Sequence, residues 1–346
     1  MLILLRPGPT RAAALVFGML AGLLCSACQP KRELQLSGKT MGTTYHIKVV
    51  AGLLTSGADI QRQIDTRLAA INKSMSTYDP SSEISRFNAI QSTAESFSPS
   101  DDFLTVLRVA ATLHRLTDGA WDGTLDPLVN LWGFGRKGAV NQIPNDIEIL
   151  QALSHVGFDR IRLDPSGRIG KTDPAVTLDL ASIAKGYGVD EIARLLGEKG
   201  FSDFLVEIGG EVYARGLRKD GKPWRVGINR PDRKATFNDV YRAIPLTNRA
   251  MATSGDYRIF IQIADHFYSH IIDPRTGRPV VNGVVSATVV AANCTVADGL
   301  ATALMVMGPE KGVALVNRQP SVECLIVVRK PDGTLMDYPS SGFVIN

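Results

Sequence analysis

Asn293-Cys-Thr-Val-Ala-Asp-Gly-Leu-Ala-Thr-Ala-Leu-Met-Val-Met-Gly308 reads as one helix, and the chain on either side of it decides the fold class. Ahead of it strands dominate from Trp224 to Val290, with turns at Asn229-Arg-Pro-Asp232 and Asp273-Pro-Arg-Thr-Gly277. After it, Cys324-Leu-Ile-Val-Val328 reads as a closing strand. Further out, Thr44–Val50 alternates as a strand, and Ile60, Ile64, Leu68 and Ile71 give residues 60–75 a helical period. Residues 103–116, 145–156 and 182–199 read as further helices, the second capped by Asn145 or Asp146. Phe204–Ile208 is a strand ending in Gly209-Gly210. Strands and helices mix without a clean βαβ rhythm. The expected class is therefore α+β, with mixed and antiparallel sheets flanked by helices in one large domain over residues 38–346. The chain has 346 residues, 45% of them apolar, which is ample for a large core.

Within the opening stretch, Asp298 and Thr302 lie four apart and project from one helix face. A carboxylate and a hydroxyl there are two hard oxygen ligands of the kind Mg²⁺ accepts, the rest of its shell coming from water and substrate phosphates. A second reading fits the same residues. Thr295 would cap the helix while Asp298 reaches back to its amide, as in a capping box.

The first 27 residues read as an export signal rather than fold. Arg6 and Arg11 precede an apolar stretch from Ala12 to Leu24, too short for an ordinary membrane span. Ser26 and Ala27 then make Cys28 the candidate for an acylated first residue of a lipoprotein, with residues 28–37 as a tether. Simple secretion and an uncleaved anchor are the alternatives. Gln29 rather than Asp follows Cys28 and leans towards the outer membrane, although inner and outer both stay open. Cleavage removes two arginines and no acid, so the formal charge falls from +4 to about +2. That is no footprint for nucleic acid. Cys294 and Cys324 read as buried thiols that an exported protein could also pair. With no CxxC pair after the signal, zinc is not expected.

Several motifs fail on context. Gly133-Phe-Gly-Arg-Lys-Gly138 matches a dinucleotide fingerprint by letter, but it follows no strand, and Asn141-Gln-Ile-Pro144 blocks the helix it should open. Gly170-Lys-Thr172 resembles the end of a phosphate loop, yet Pro165 stands where the first glycine belongs. There is no G-x-S-x-G elbow.

Other segments hold together in order. They are Gly38–Thr44, Thr77–Asn88, Thr117–Leu128, Leu178–Gly188 with Val206–Glu211, Ala252–Tyr257 with His270–Pro279, and Ala297–Thr302. This series closely resembles the FAD:protein FMN transferase family, the ApbE-type flavin transferases, over about residues 38–310. The resemblance implies a membrane lipoprotein of the bacterial envelope that binds FAD as substrate with Mg²⁺. Such an enzyme moves the FMN half onto a threonine or serine hydroxyl of a target protein through a phosphoester bond and releases AMP. It implies target subunits of sodium-translocating NADH:quinone reductases or Rnf-type redox complexes as partners.

By the same resemblance, Asp298 and Thr302 match the family's magnesium side chains, and Ser182 sits where a backbone carbonyl reaches the same ion. Met41, Tyr78, the Gly119-Ala120-Trp121 stretch with Asp122 adjacent, Lys185 and Ile272 match the FAD site. Lys185 falls three residues after Ser182 on the opening turn of a helix, where a cation suits a phosphate; some relatives lack it, which makes it binding rather than chemistry. Tyr78 and Trp121 offer flat faces for stacking. His270, one of five histidines, is a candidate base for the attacking hydroxyl, and Asp298 is the other candidate. Thr253–Gly255 are expected as a loop against the nucleotide, and Glu83, Arg86 and Asn88 as ties between helix ends. Two alternatives use the same pocket: an FAD pyrophosphatase giving FMN and AMP, and a non-catalytic FAD-binding lipoprotein. Relatives that hydrolyse FAD differ at the Tyr78 position, and an aromatic there favours transfer.

Overall fold

Strands β1 (Lys31–Thr40) and β2 (Thr43–Gly52) form a hairpin whose register runs from Lys31 opposite Gly52 to Thr40 opposite Thr43. Tyr45, Ile47 and Val49 of β2 are buried while His46 and Lys48 between them are exposed, the two-residue period of a half-buried strand. The two-residue turn uses positive φ at Met41 (48°) and Gly42 (71°), which matches the right-handed twist of the strands it joins. The computed structural model describes residues 30–135, 138, 140, 142–236, 239–257, 260–263 and 266–344. The export signal with Cys28, and part of the Gly133–Gly138 pattern, lie outside the described residues. Lys31–Ser37, expected as tether, belongs instead to β1. Leu36 is buried and Leu34 packs beside it on a cluster with Ile47 and Ile60, so a polar-rich edge strand is held by two leucines on one face.

The main sheet has eight strands in the order β1-β2-β5-β6-β9-β14-β15-β16, every neighbour antiparallel. Its later members are β5 (Phe204–Ile208), β6 (Glu211–Arg215), β9 (Arg249–Gly255), β14 (Val284–Ala291), β15 (Glu323–Arg329) and β16 (Leu335–Pro339). The closing strand is thus β16 rather than residues 324–328, and Thr253–Gly255 lie in strand β9 rather than in a loop. Two-stranded ribbons pair β3 (Ile161–Leu163) with β4 (Ile169–Lys171), β7 (Trp224–Asn229) with β8 (Val240–Leu246), β10 (Phe260–Ile263) with β11 (His266–Ser269), and β12 (Ile272–Asp273) with β13 (Arg278–Pro279). The helices are α1 (Gly57–Met75), α2 (Glu83–Asn88), α3 (Asp101–Leu116), α4 (Asp126–Leu131), α5 (Asp146–Leu153), α6 (Ala181–Glu198), α7 (Cys294–Met307) and α8 (Pro309–Val316).

All eight residues of β14 are buried, because both faces of the sheet are covered there. Ala287, Val289 and Ala291 join the helix-side core with Leu300, Ala301 and Leu304 of α7. Val285 and Val290 face the other way, into a cluster with Trp224, Ile228, Ile244 and Leu246 of the β7–β8 ribbon. Helix α7 is buried almost all round, which explains its uniformly apolar sequence. It crosses α6 closely enough that a Cβ on Gly186 would lie 2.5 Å from the Cys294 carbonyl oxygen. A Cβ on Gly299 would lie 2.3 Å from Leu113 of α3. Glycine at these two positions sets the depth at which α7 lies in the core.

Candidate active site

The capping-box reading of α7 does not survive. Asn293 is the cap, its side chain accepting from Val296 N at 2.9 Å. Thr295 Oγ1 donates instead to Asp190 of α6 at 2.6 Å, and the Cys294 and Thr295 amides donate to the same carboxylate. Asp298, released from capping, turns towards α6 and accepts from Gly186 N at 3.0 Å through Oδ2.

That carboxylate sits on the wall of a cavity of about 930 Å³, large enough for a dinucleotide-sized ligand. The wall draws on distant parts of the chain. Met41 and Gly42 come from the first hairpin, Met75 to Tyr78 from the end of α1, and Ala120 to Asp122 from the turn after α3. Ser182 and Lys185 come from the first turns of α6, Gly209 to Glu211 from the β5–β6 turn, and Thr253 to Gly255 from β9. His270 to Ile272 and the α7 pair Asp298 and Thr302 complete it. The sequence-expected site residues meet here from both ends of the chain, with one exception. Gly119, at φ +69° beside His114, shapes the turn behind the wall rather than the wall itself.

Electrostatics concentrate at one place. Lys185 Nζ lies 3.2 Å from Glu211 Oε1 and 3.8 Å from Asp298 Oδ2. Burial works against the charged ammonium, but Asp298 and Glu211 together overcome it and raise its pKa. Burial likewise raises Asp298, with Lys185 and the Gly186 N–H pulling back. Glu211 is pushed up to about 8, by burial first, with Lys185 opposing. Its second oxygen, Oε2, is buried without a hydrogen-bond partner. Two carboxyl groups share one ammonium, which leaves an acid that a second cation could balance. Nothing in the sequence set Glu211 apart. It was visible only as the last residue of a Gly-Gly-Glu run, and its burial beside Lys185 depends on the sheet closing over it.

Thr302 Oγ1 lies 3.2 Å from Ser254 Oγ and 3.4 Å from the Asp298 carbonyl oxygen, so hydroxyl and carboxylate do share the cavity face. No group of three His, Cys, Asp or Glu side chains fit to hold a metal occurs among the described residues. The donor set here is one carboxylate, one hydroxyl and the Ser182 position, all hard oxygen, beside an uncompensated buried acid. It fits a small divalent cation that takes its remaining ligands from water and phosphate, and not a soft metal.

Other expected residues take clearer structural roles. Trp121 is 1% exposed, packs near Phe158, and its indole N–H donates to Ser182 Oγ at 3.1 Å. It therefore lines the cavity as the residue that fixes Ser182, not as an open stacking face. Tyr78, 80% exposed at the mouth, is the free aromatic face. Asp122 is buried and accepts from Thr124 N (2.8 Å) and Phe158 N (3.0 Å), with His114 Nδ1 at 3.2 Å. The hydrogen bond that His114 donates to Asp122 is the main reason the His114 pKa is raised. The His270 ring sits edge-on to Phe134 with centroids 6.3 Å apart. Glu83 accepts from Ser100 N at the cap of α3 and from Ser74 Oγ of α1, tying helix ends as expected. Lys171, from the rejected phosphate-loop match, is fully buried and donates to the carbonyls of Asn88, Ile90 and Pro174. Cys294 and Cys324 are buried free thiols.

Helix α6 begins at this cavity with Leu180 in the cap position and no side-chain cap, and a lysine follows one turn in. A helix N-terminus of this kind receives phosphate oxygens, and opposite it stand a carboxylate and a hydroxyl suited to a hard cation. The class so defined is a phosphate-handling nucleotide site in an α+β domain. The chain belongs to the ApbE family, whose sequence pattern matches residues 41–326. It is 43% identical over 324 residues to the FAD:protein FMN transferase of Vibrio cholerae, covering 93% of this chain and 95% of that one. It is 38% identical over 338 residues to the protein of the same name from Haemophilus influenzae, covering 95% and 97%. The solved structure of the flavin transferase ApbE from Vibrio cholerae superposes with a TM-score of 0.82 at 42% identity, covering 91% of this chain and 99% of that one.

Proposed function

We propose that this protein is a flavin transferase that moves the FMN half of FAD onto a hydroxyl of an acceptor protein. Family membership carries the reaction class. The observation that carries the chemistry is the meeting of Asp298 and Thr302 with Lys185 on the opening turns of an uncapped helix. We further assign the acceptor group to threonine or serine. Its oxygen attacks the FMN phosphorus, the bond to the AMP phosphate breaks, a phosphoester forms and AMP leaves. His270, on the same wall, takes the proton of the attacking hydroxyl.

Most of the catalysis comes from positioning and charge, since phosphoryl transfer leaves little covalent work for a protein. Lys185 and the α6 N-terminus bind the pyrophosphate, and Tyr78 at the mouth packs on a ring of the nucleotide. Asp298, Thr302 and the Ser182 carbonyl would hold magnesium, which neutralises charge on the phosphate oxygens when bound. Trp121 holds Ser182 in place for this through its indole N–H. Acceptors are redox subunits of sodium-translocating NADH:quinone reductase or Rnf-type complexes. An acyl anchor at Cys28 keeps the enzyme on a bacterial membrane, facing the periplasm.

The test is to incubate the detergent-solubilised chain with FAD, Mg²⁺ and a redox subunit bearing an acceptor threonine, following AMP release and an FMN-sized mass addition. Adduct and AMP, both lost on chelation, support the proposal. AMP and free FMN without adduct would make it a pyrophosphatase, and FAD bound unchanged would make it a binding protein.

A further inference from the structure

We infer that the end of the molecule where its described chain begins is a bilayer-contact surface, with Leu53 and Leu54 entering the headgroup region of an anionic membrane. The inference rests on the proposed anchor at Cys28 and adds the protein surface that the anchor brings down.

Pairing in β1 starts at Lys31, three residues after Cys28, and its partner in β2 is Gly52. The turn that follows Gly52 therefore lies beside the point where the leader joins the fold. Thr55 N donates to Gly52 O at 3.1 Å and Arg32 Nη2 donates to Thr55 O at 2.8 Å, closing the turn against the first residues of β1. Its tip is two consecutive leucines, Leu53 at 52% exposure and Leu54 at 101%. Neither contributes to the core, and polar residues would serve such a turn as well.

A third leucine stands at the same end. Leu217 is 40% exposed, and its N–H donates to Asp203 Oδ1 at 3.0 Å, while Asp203 Oδ2 pairs with Lys31 Nζ at 3.4 Å. Basic residues accompany these leucines: Lys31 and Arg32 open the strand paired with Gly52 and Ala51, and Arg218, Lys219 and Lys222 follow Leu217 in the chain. Asp203 and Asp220 offset only part of that charge. Exposed leucines with a basic rim match the two layers of an anionic interface, acyl boundary and charged headgroups. The occupant is fixed by what precedes the fold: an apolar stretch and an acylation-ready cysteine end three residues from this rim. A lipid anchor fixes attachment but leaves the domain free to swivel, so a second contact of this kind converts attachment into a defined orientation.

The experiment uses the full, lipidated chain in phosphatidylcholine vesicles containing phosphatidylglycerol. An environment-sensitive dye is placed through Leu54→Cys and, separately, through Val281→Cys, which is 94% exposed next to a strand four places away in the sheet. The native Cys294 and Cys324 are buried and stay unlabelled. The protein should float with the vesicles, and the dye at 54 should be shielded from iodide roughly threefold or more relative to that at 281, as befits a group ~5–10 Å into the interface. Omitting phosphatidylglycerol should weaken that shielding. Flotation with equal quenching at both positions would overturn the contact surface and leave the anchor standing. Shielding indifferent to phosphatidylglycerol would overturn the basic rim's part in it. A chain that does not float would remove the anchor and the surface together.

Discussion

Replacing Asp298 by asparagine separates its two tasks, because the new side chain keeps an acceptor for Gly186 N–H and loses only the charge. In the ligand-free protein that charge contributes little net stability. Attraction to Lys185 at 3.8 Å is worth ~4 kcal/mol at an effective dielectric near 20. Burying the carboxylate costs several kcal/mol in return, and Asp190 repels it. Lys185 also keeps Glu211 Oε1 at 3.2 Å when Asp298 is neutralised. Asp298→Asn should therefore melt within about 1 kcal/mol of the parent in chelator. Asp298→Ala orphans the Gly186 N–H and should lose about 1–3 kcal/mol, or some 2 °C per kcal/mol in a domain of this size. Both variants should lose at least ~10²-fold in FMN transfer, the scale of removing one charge-stabilising group at a phosphoryl centre. Both should also lose the rise in melting temperature that Mg²⁺ with FAD gives the parent. The measurements are thermal melts with chelator and with Mg²⁺–FAD, beside in-gel flavin fluorescence of the acceptor. An asparagine variant as unstable as the alanine one, with transfer near normal, would reduce Asp298 to an ion-pair partner for Lys185 and sink the metal assignment.

Glu211→Gln should flatten the pH dependence of stability. The folded chain holds a proton on this carboxyl up to about 8, whereas the unfolded chain releases it near 4.5, so the parent loses stability as pH rises through that window. The variant lacks the decline and should melt higher than the parent at the alkaline end; parallel melting profiles would contradict this. Gly186→Ala places a Cβ 2.5 Å from Cys294 O and 2.9 Å from Asp298 Cβ, and should cost at least ~1–3 kcal/mol by prising α7 off α6. A melt indistinguishable from the parent would refute so close a crossing. His270→Gln should lower transfer ~10²–10⁴-fold and abolish the rise of rate with pH through the imidazole range. A uniform loss at every pH would make His270 a structural residue.

The sequence carried the helices well, because α1, α3 and α6 pack one stripe against the core and print that stripe as a 3.6-residue period. Asp298 and Thr302 were legible for the same reason: four residues apart means one face, whatever lies opposite. What lies opposite was not legible. Asn293 and Thr295 are both good caps, and the choice between them was made by Asp190 of α6, which reaches Thr295 from 105 residues away. Trp121 has the composition of a stacking residue, yet its indole N–H found Ser182 and its ring found the core. Strand β1 escaped because an edge strand with two buried-side leucines and seven charged or polar neighbours carries too little contrast until its partner is known. Glu211 escaped because a buried acid looks the same in sequence as an exposed one.

Strand β1 also works as a ruler. Its ten residues rise about 33 Å at ~3.3 Å each, and the Met41–Gly42 turn at the far end is part of the cavity wall. Only two residues, Gln29 and Pro30, separate Cys28 from Lys31, a leash of about 10 Å at full stretch over three Cα steps. An enzyme anchored there and standing upright works at a nearly fixed height, roughly one hydrocarbon thickness above the bilayer. Acceptors would then be selected by altitude as well as by sequence. A hydroxyl flush with the membrane is out of reach unless the domain tilts, and one carried on a domain projecting some 30 Å meets the cavity without either protein leaving its membrane.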